Sequence, residues 1–274
     1  MKVTIKWKEA WTLFLEALPR TYKPALIKNT LILAPILLLP FHFSWIIRGL
    51  LAFGGFCLLQ ASYFHVRVIL TQHNVHRNRV VLLLFLFGSA MAVGGYLGLG
   101  VLFWYVVAFA LYLGYGSTAK NWAAWDIALV ASGYCLRFLI GANAIGDMRG
   151  ASGLVALAFL GAYAGLANRR LGIKAQRTRD KKRDISELDS ILKLVALGTI
   201  GVYAILILLA HHTGRDLILS LVSVGIVAAT LVRHLYMMLA KSNTQTLVDF
   251  VLTDRWMKIG IASWAIVWII FHFV

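Results

Sequence analysis

Acidic residues are scarce in this chain and unevenly placed. Its 274 residues hold 11 Asp and Glu against 27 Lys and Arg, a formal net charge of +16, and no acid falls between residues 17 and 125. That stretch offers no carboxylate to a Mg2+ ion, which takes hard oxygen ligands. Charged residues of both signs make up only 14% of the chain, too few to cover a soluble domain. There are two cysteines, Cys57 and Cys135, both inside apolar segments; they exclude a disulfide framework and a Cys-based metal site. No tandem repeat, low-complexity tract or interdomain linker is visible, so a single membrane domain over 1–274 is expected. Lys6, Lys8, Glu9 and Glu16 interrupt the start, which is therefore not expected to be a signal peptide.

What the sequence has in abundance is apolar chain: 60% of residues, with a mean hydropathy of +0.78. Long uninterrupted runs fit helices of about 20 residues across roughly 30 Å of hydrocarbon rather than the alternating pattern of a membrane barrel. Nine spans are predicted, near 25–43, 44–68, 80–97, 99–116, 122–144, 151–167, 190–210, 217–239 and 257–274. Residues 1–23 are expected to lie amphipathically at the interface. A cytoplasmic N-terminus puts 19 basic residues in inner connections and leaves Arg149 and Arg215 outside, with Arg48 at a span edge. This asymmetry favours an odd number of spans and an outer C-terminus. The basic excess is thereby explained by topology, with no nucleic-acid partner. Residues 168–189, with eight Lys and Arg, are expected to form a basic cytoplasmic loop.

Ionisable groups inside spans are costly and tend to face a cavity or a partner. Lys28, Arg67 and Arg233 are placed near cytoplasmic ends. Asp126, Gly133 and Arg137 share one face of the fifth span at i, i+7, i+11. Such a set can simply fix helix packing, or it can form a positively walled cavity suited to phosphate or pyrophosphate. The segment YFHVRVILTQHNVHRNR gathers His65, Arg67, His73, His76, Arg77 and Arg79 at one mouth; a solvated basic loop is the default there, with His73 and His76 as a remote metal pair. His211 and His212 are expected at the opposite interface.

Three stretches carry a resemblance: LPRTYKPALIKNTLILAPILL near the start, GYGSTAKNWAAWDIALVASGYCLRFLIGANA across the fourth and fifth spans, and TLVDFVLTDRWMKIGIASWAIVWII at the end. Their order and spacing resemble the UbiA superfamily, specifically its decaprenyl-phosphate phosphoribosyltransferase branch. The resemblance implies a nine-helix bundle in which polyprenyl phosphate meets phosphoribosyl pyrophosphate with Mg2+ held by an NDxxDxxxD motif. It carries over to Lys28, Asn29, Tyr115, Lys120, Asp126, Arg137, Arg169, Arg170, Arg233, Asp254 and Arg255. The Asp-rich motif should fall at HVRVILTQHN, residues 65–74, where no carboxylate stands. After the sixth span the chain reads NRRLGI, with no acid. A DxxxD pair, Asp180 and Asp184, remains as a weak metal candidate, although Lys181, Lys182 and Arg183 between them favour intrahelical ion pairing.

The leading expectation is a UbiA-type protein without Mg2+-dependent catalysis, binding polyprenyl phosphate through Lys28, Asn29, His65, Arg67, Arg77, Arg79, Tyr115, Lys120, Arg137, Arg169, Arg170 and Arg233. It would have no cofactor and would act beside another membrane protein, or as a homo-oligomer, in the inner membrane during cell-envelope glycolipid synthesis. The alternative is an active polyprenyl-phosphate phosphoribosyltransferase. In it Arg67, Lys120, Arg137 and Arg233 supply charge in place of the metal motif, and Lys120, Asp126 and Arg137 are the catalytic candidates. Mg2+ would be the cofactor only under that reading. A transporter-like bundle is the third.

Overall fold

The computed structural model describes residues 25–37, 42–71, 77–117, 123–148, 153–175, 181–210, 214–240 and 247–273, all helical apart from short joints, with no strand among them. The expected interfacial segment 1–23, His73, His76, Lys120, Asp180, His211 and His212 lie outside the described residues. Five helices are long and apolar enough to cross a membrane, Phe43–Leu70, Asn78–Leu97, Ala124–Ile145, Ile185–Leu209 and Asp216–Leu239, with Ala25–Ile36 and Leu99–Gly114 as shorter apolar helices. The chain is a multi-pass helical membrane protein.

Among the described residues ten helices follow in order. The first, α1, is broken: residues 25–29 are helical, Thr30–Leu33 form a 3-10 turn, and Ala34–Leu37 resume the α form. Pro35 accounts for the break, because it lacks an N–H and its ring collides with the carbonyl four residues back. Then come α2 (Phe43–Thr71), α3 (Arg77–Leu97), α4 (Leu99–Ser117), α5 (Ala123–Ile145), α6 (Gly153–Ala175), α7 (Lys181–Ala210), α8 (Gly214–Ala240), the short α9 (Leu247–Thr253) and α10 (Arg255–Phe273). The expected loop over 168–189 is largely helix: α6 runs on through 175 and α7 begins at 181. Charged residues read as loop because they end the apolar run, whereas a helix can project beyond the hydrocarbon, where its charges are solvated.

The described residues fall into two compact units. The first comprises those of Met1–Ile36, His42–Ala119 and Leu136–Asp147; the second comprises the rest, including Lys120–Cys135 and Met148–Val274. Helix α5 contributes to both.

In the first unit, Ile32, Phe56, Leu59, Val101, Tyr105 and Ile140 head a buried cluster built from α1, α2, α3, α4 and the second half of α5. Lipid is as apolar as these side chains, so close packing and hydrogen bonds, rather than water exclusion, must hold the helices together. The Tyr105 hydroxyl accordingly donates to the Ala52 carbonyl at 2.6 Å. Arg48 donates to the Ala144 carbonyl and, at 2.8 Å, to the Leu97 carbonyl, satisfying free acceptors at the C-terminal ends of α5 and α3. A single residue, Gly98, joins α3 to α4 at φ 130°, a conformation that side-chain-bearing residues avoid.

Helices α1 and α5 approach closely at Gly141. A Cβ there would fall 1.9 Å from the Ile32 carbonyl oxygen and 2.8 Å from its carbon. Both are backbone atoms, so α1 itself would have to move. Gly141→Ala is expected to cost about 1–3 kcal/mol, the usual penalty of overpacking, read as a lower melting temperature in detergent. Gly54→Ala, where nothing lies within 4 Å, is the control.

The second unit packs Tyr163, Leu166, Leu192, Ala196, Leu231 and Met238 into its own cluster. Tyr203 on α7 shares a 2.6 Å hydrogen bond with Ser223 on α8 and accepts one of 2.8 Å from the Trp264 indole on α10. Polar side chains thus tie three helices across an apolar interior.

Candidate functional site

In the first unit the Pro-broken α1 presents Asn29 to the second half of α5, where Arg137 is buried. Arg137 Nε donates to Asn29 Oδ1 at 3.0 Å, and Nη2 donates to the Tyr112 hydroxyl on α4 at 3.0 Å. The Asn29 amide in turn donates to Gln60 Oε1 at 2.8 Å and to Cys57 Sγ at 3.4 Å, both on α2. Gln60 closes the circuit by donating to the Tyr112 hydroxyl at 3.0 Å. The guanidinium also sits 5.4 Å from the centroid of the Phe56 ring, and Tyr63 stacks on Tyr112 with centroids 5.2 Å apart.

A buried cation is tolerable only when its donors are satisfied and its charge is balanced. The partners named here are neutral oxygens and a ring face; the described residues of this unit from 25 to 117 contain no Asp or Glu, and Asp147 lies just beyond the end of α5. His65, on the same α2 helix, is buried with Nδ1 unpartnered among the described residues, and the Arg79 charge is close enough to act on it. Lys28 is half-buried next to Asn29, and Arg67 is exposed on α2. Arg77 opens α3 and Tyr115 lies in the last turn of α4. Among the described side chains this set offers donors and positive charge to an anion and no carboxylate to a Mg2+ ion.

The second unit deals with its charges internally. Arg170, 5% exposed, makes a two-pronged ion pair with Asp189 through Nε and Nη2, and Nη1 donates to the Met238 carbonyl at 3.1 Å. Arg233 pairs with Asp254 at 3.0 and 2.7 Å. Arg169 is half-buried on α6, Asp126 is half-buried in the first turn of α5, and Asp184 falls in the first turn of α7. Among the described residues no three His, Cys, Asp or Glu cluster as a metal site. The residues that the sequence grouped together are thus divided. Asn29 and Arg137 meet, while Arg170 and Arg233 each hold a carboxylate.

Cys57, Gln60, Tyr112 and Phe56 were not anticipated. Gln60 carried the available signal, as an amide in an otherwise apolar run three residues after Cys57 and so on the same helix face.

Asp254 also caps α10, accepting from the Met257 amide at 2.9 Å. The Arg233 guanidinium, by hydrogen bonding, holds the Asp254 carboxyl below its ordinary range. A carboxyl with a depressed folded-state pKa stabilises above its unfolded value, about 3.9, and loses that contribution as pH falls through the folded value. Hydrogen exchange at the Met257 amide should therefore stay slow from pH 7 down to about pH 4, whereas Asp254→Asn should speed it already at pH 7.

No family model and no curated protein matches the chain. Solved structures do. A UbiA homologue from Archaeoglobus fulgidus bound to Cd2+ is 14% identical, with a TM-score of 0.62 over 92% of this chain and 97% of that one. Bound to DMAPP and Mg2+, a UbiA homologue from that organism gives 15% identity and a TM-score of 0.61 over 92% and 96%. Bound to GPP and Mg2+, the values are 15% and 0.62 over 92% and 97%. At such low identity what is shared is the course of the backbone, and on that ground the chain has the UbiA fold.

Proposed function

We propose that this protein binds a polyprenyl phosphate through the Arg137 network of the first unit and does not carry out Mg2+-dependent transfer. The observation that carries the reading is the carboxylate-free run from 17 to 125, which includes residues 65–74, where the resemblance places the Asp-rich metal motif. Transfer from a pyrophosphate donor requires the leaving group's charge to be neutralised, and a divalent ion does this in a way that Arg and Lys reproduce only in part. Binding a single phosphate asks less: donors and positive charge, which Lys28, Asn29, His65, Arg67 and Arg137 supply. The solved UbiA homologues bound to DMAPP and GPP support a prenyl-phosphate ligand by analogy of fold. In this reading the chain spans the inner membrane nine times with its N-terminus inside and serves as a partner subunit of another membrane protein in cell-envelope glycolipid synthesis.

The decisive experiment is a transferase assay. Purified protein is incubated with radiolabelled phosphoribosyl pyrophosphate and polyprenyl phosphate, with Mg2+ or with EDTA. The expected result is no labelled lipid in either condition, together with saturable polyprenyl-phosphate binding that Arg137→Met removes. Labelled product that Arg137→Met abolishes would establish the active phosphoribosyltransferase instead.

A further inference from the structure

The helical hydroxyls of the second unit fall into two groups. Ser132, Ser190, Thr199 and Thr230 turn back on their own helices, each donating to the carbonyl four residues earlier at 2.6 to 3.1 Å, the usual resort of a hydroxyl in a helix. Ser220 and Ser223 on α8 do not. Both are 0% exposed. Ser223 bonds across to Tyr203 on α7, and Ser220 Oγ has no hydrogen-bond partner among the described residues. A hydroxyl sealed from solvent and left unmatched is costly, and the surrounding lipid offers it nothing.

Counting hydrogens shows what this site is short of. The Trp264 indole on α10 donates to the Tyr203 hydroxyl at 2.8 Å, and the Tyr203 and Ser223 hydroxyls lie 2.6 Å apart. An indole N–H only donates, whereas each hydroxyl brings one hydrogen and accepts on its lone pairs. The contact between Tyr203 and Ser223 therefore uses one of their two hydrogens and leaves the other over. Neither residue makes a further hydrogen bond among the described residues. When each member of the series Trp264, Tyr203, Ser223 donates to the next, the spare hydrogen rests on Ser223, and Ser220 brings a second.

Ser220 and Ser223 stand at i, i+3 on one face of α8, with Cβ atoms about 5–6 Å apart. One oxygen atom accepting from both at about 2.8 Å spans up to about 5.6 Å, so it fits between them. None of the four side chains is charged, and an ion of either sign would sit there unbalanced. Water meets the need: it accepts two hydrogens and gives its own to lone pairs of the serine oxygens or of α8 carbonyls.

We propose that Ser220 and Ser223 hold an ordered water molecule inside the second unit, at the end of a donor chain that runs from Trp264 through Tyr203. The water completes the polar junction joining α7, α8 and α10. The site does not rest on the polyprenyl-phosphate reading and shares no residue with the Arg137 network.

The test is hydroxyl-radical footprinting of full-length protein in nanodiscs, prepared in water enriched in heavy oxygen. Short X-ray pulses turn water into radicals that react where they form, so an ordered interior water marks the aromatic side chains nearest to it. Uptake of heavy oxygen at Tyr203 and Trp264 is read by mass spectrometry and normalised to Trp256, which is exposed. Tyr203 should be marked about tenfold faster than Tyr105, which is buried with its hydroxyl satisfied by the Ala52 carbonyl, and Ser220→Ala should remove most of that excess. Ser223→Ala tests the same bridge from its other side and should act likewise. Ser220 is out of reach of bulk solvent, so marking of Tyr203 from outside would be the same in wild type and Ser220→Ala. Equal marking of Tyr203 and Tyr105, or marking that neither substitution lowers, would overturn the proposal and return the Ser220 hydroxyl to its own helix like the other hydroxyls of the unit.

Discussion

Asp189→Ala is expected to destabilise the second unit by about 3 kcal/mol, at the low end of the 3–5 kcal/mol typical of breaking a buried ion pair. The cost falls on what stays behind. Arg170 is 5% exposed and its Nη1 is held by the Met238 carbonyl, so the guanidinium cannot easily swing into water when its carboxylate is gone. The low end applies because the Asp189 side chain is 23% exposed, and water entering through that side would solvate part of the orphaned charge. Replacing both partners, Arg170→Met with Asp189→Leu, should recover most of the loss, since well-packed apolar side chains often match or exceed a buried ion pair. Thermal unfolding in detergent, followed by circular dichroism, distinguishes these outcomes. If Asp189→Ala melted with the wild type, Arg170 would have to be drawing its stabilisation from elsewhere.

That pair also marks where the sequence was misleading. Arg169 and Arg170 sit at the start of a basic stretch, and a run of Lys and Arg after a span normally signals a solvated connection. Burial of Arg170 depends on Asp189 on the next helix and on the Met238 carbonyl two helices on. Neither is visible as a local pattern. The apolar helices were legible because hydrophobic length is local information: 99–116 corresponds to the helix Leu99–Ser117 and 122–144 to Ala123–Ile145. Of the first expected span, 25–43, the described residues run to Leu37, with Pro35 breaking the helix inside an apolar run that composition alone treats as continuous; residues 38–41 lie outside the described residues. Within the site, Asn29 and Arg137 are 108 residues apart, and only the resemblance joined them in advance. Cys57 and Tyr112 carry no charge, so nothing in the sequence distinguished them from residues that simply fill a membrane helix, and the Gln60 amide alone stood out from its apolar run.

Arg137→Ala should have a large effect on the first unit, and the form of the rescue separates a structural role from a ligand-binding one. Truncation empties a buried volume comparable to a long apolar side chain, at about 2–5 kcal/mol. It also takes the Nε donor from Asn29 Oδ1, at about 1–3 kcal/mol for a buried acceptor left unmatched. Tyr112 suffers less because Gln60 still donates to its hydroxyl. Offsetting this, removing a cation from an apolar site recovers part of its desolvation cost. The double replacement Arg137→Met with Asn29→Leu keeps volume and removes both ends of that hydrogen bond but leaves Gln60 Oε1 without the Asn29 amide, so melting should return to within about 1–3 kcal/mol of the wild type. Were Arg137 only a packing element, that variant would bind polyprenyl phosphate as the wild type does. With the guanidinium as the charge that receives the phosphate, stability returns and binding does not, because no apolar substitution replaces a positive centre in a unit so poor in charge of the opposite sign. Saturation binding of a fluorescent polyprenyl phosphate to the single and double variants in nanodiscs reads the difference, and a double variant with wild-type affinity would move the phosphate site away from Arg137.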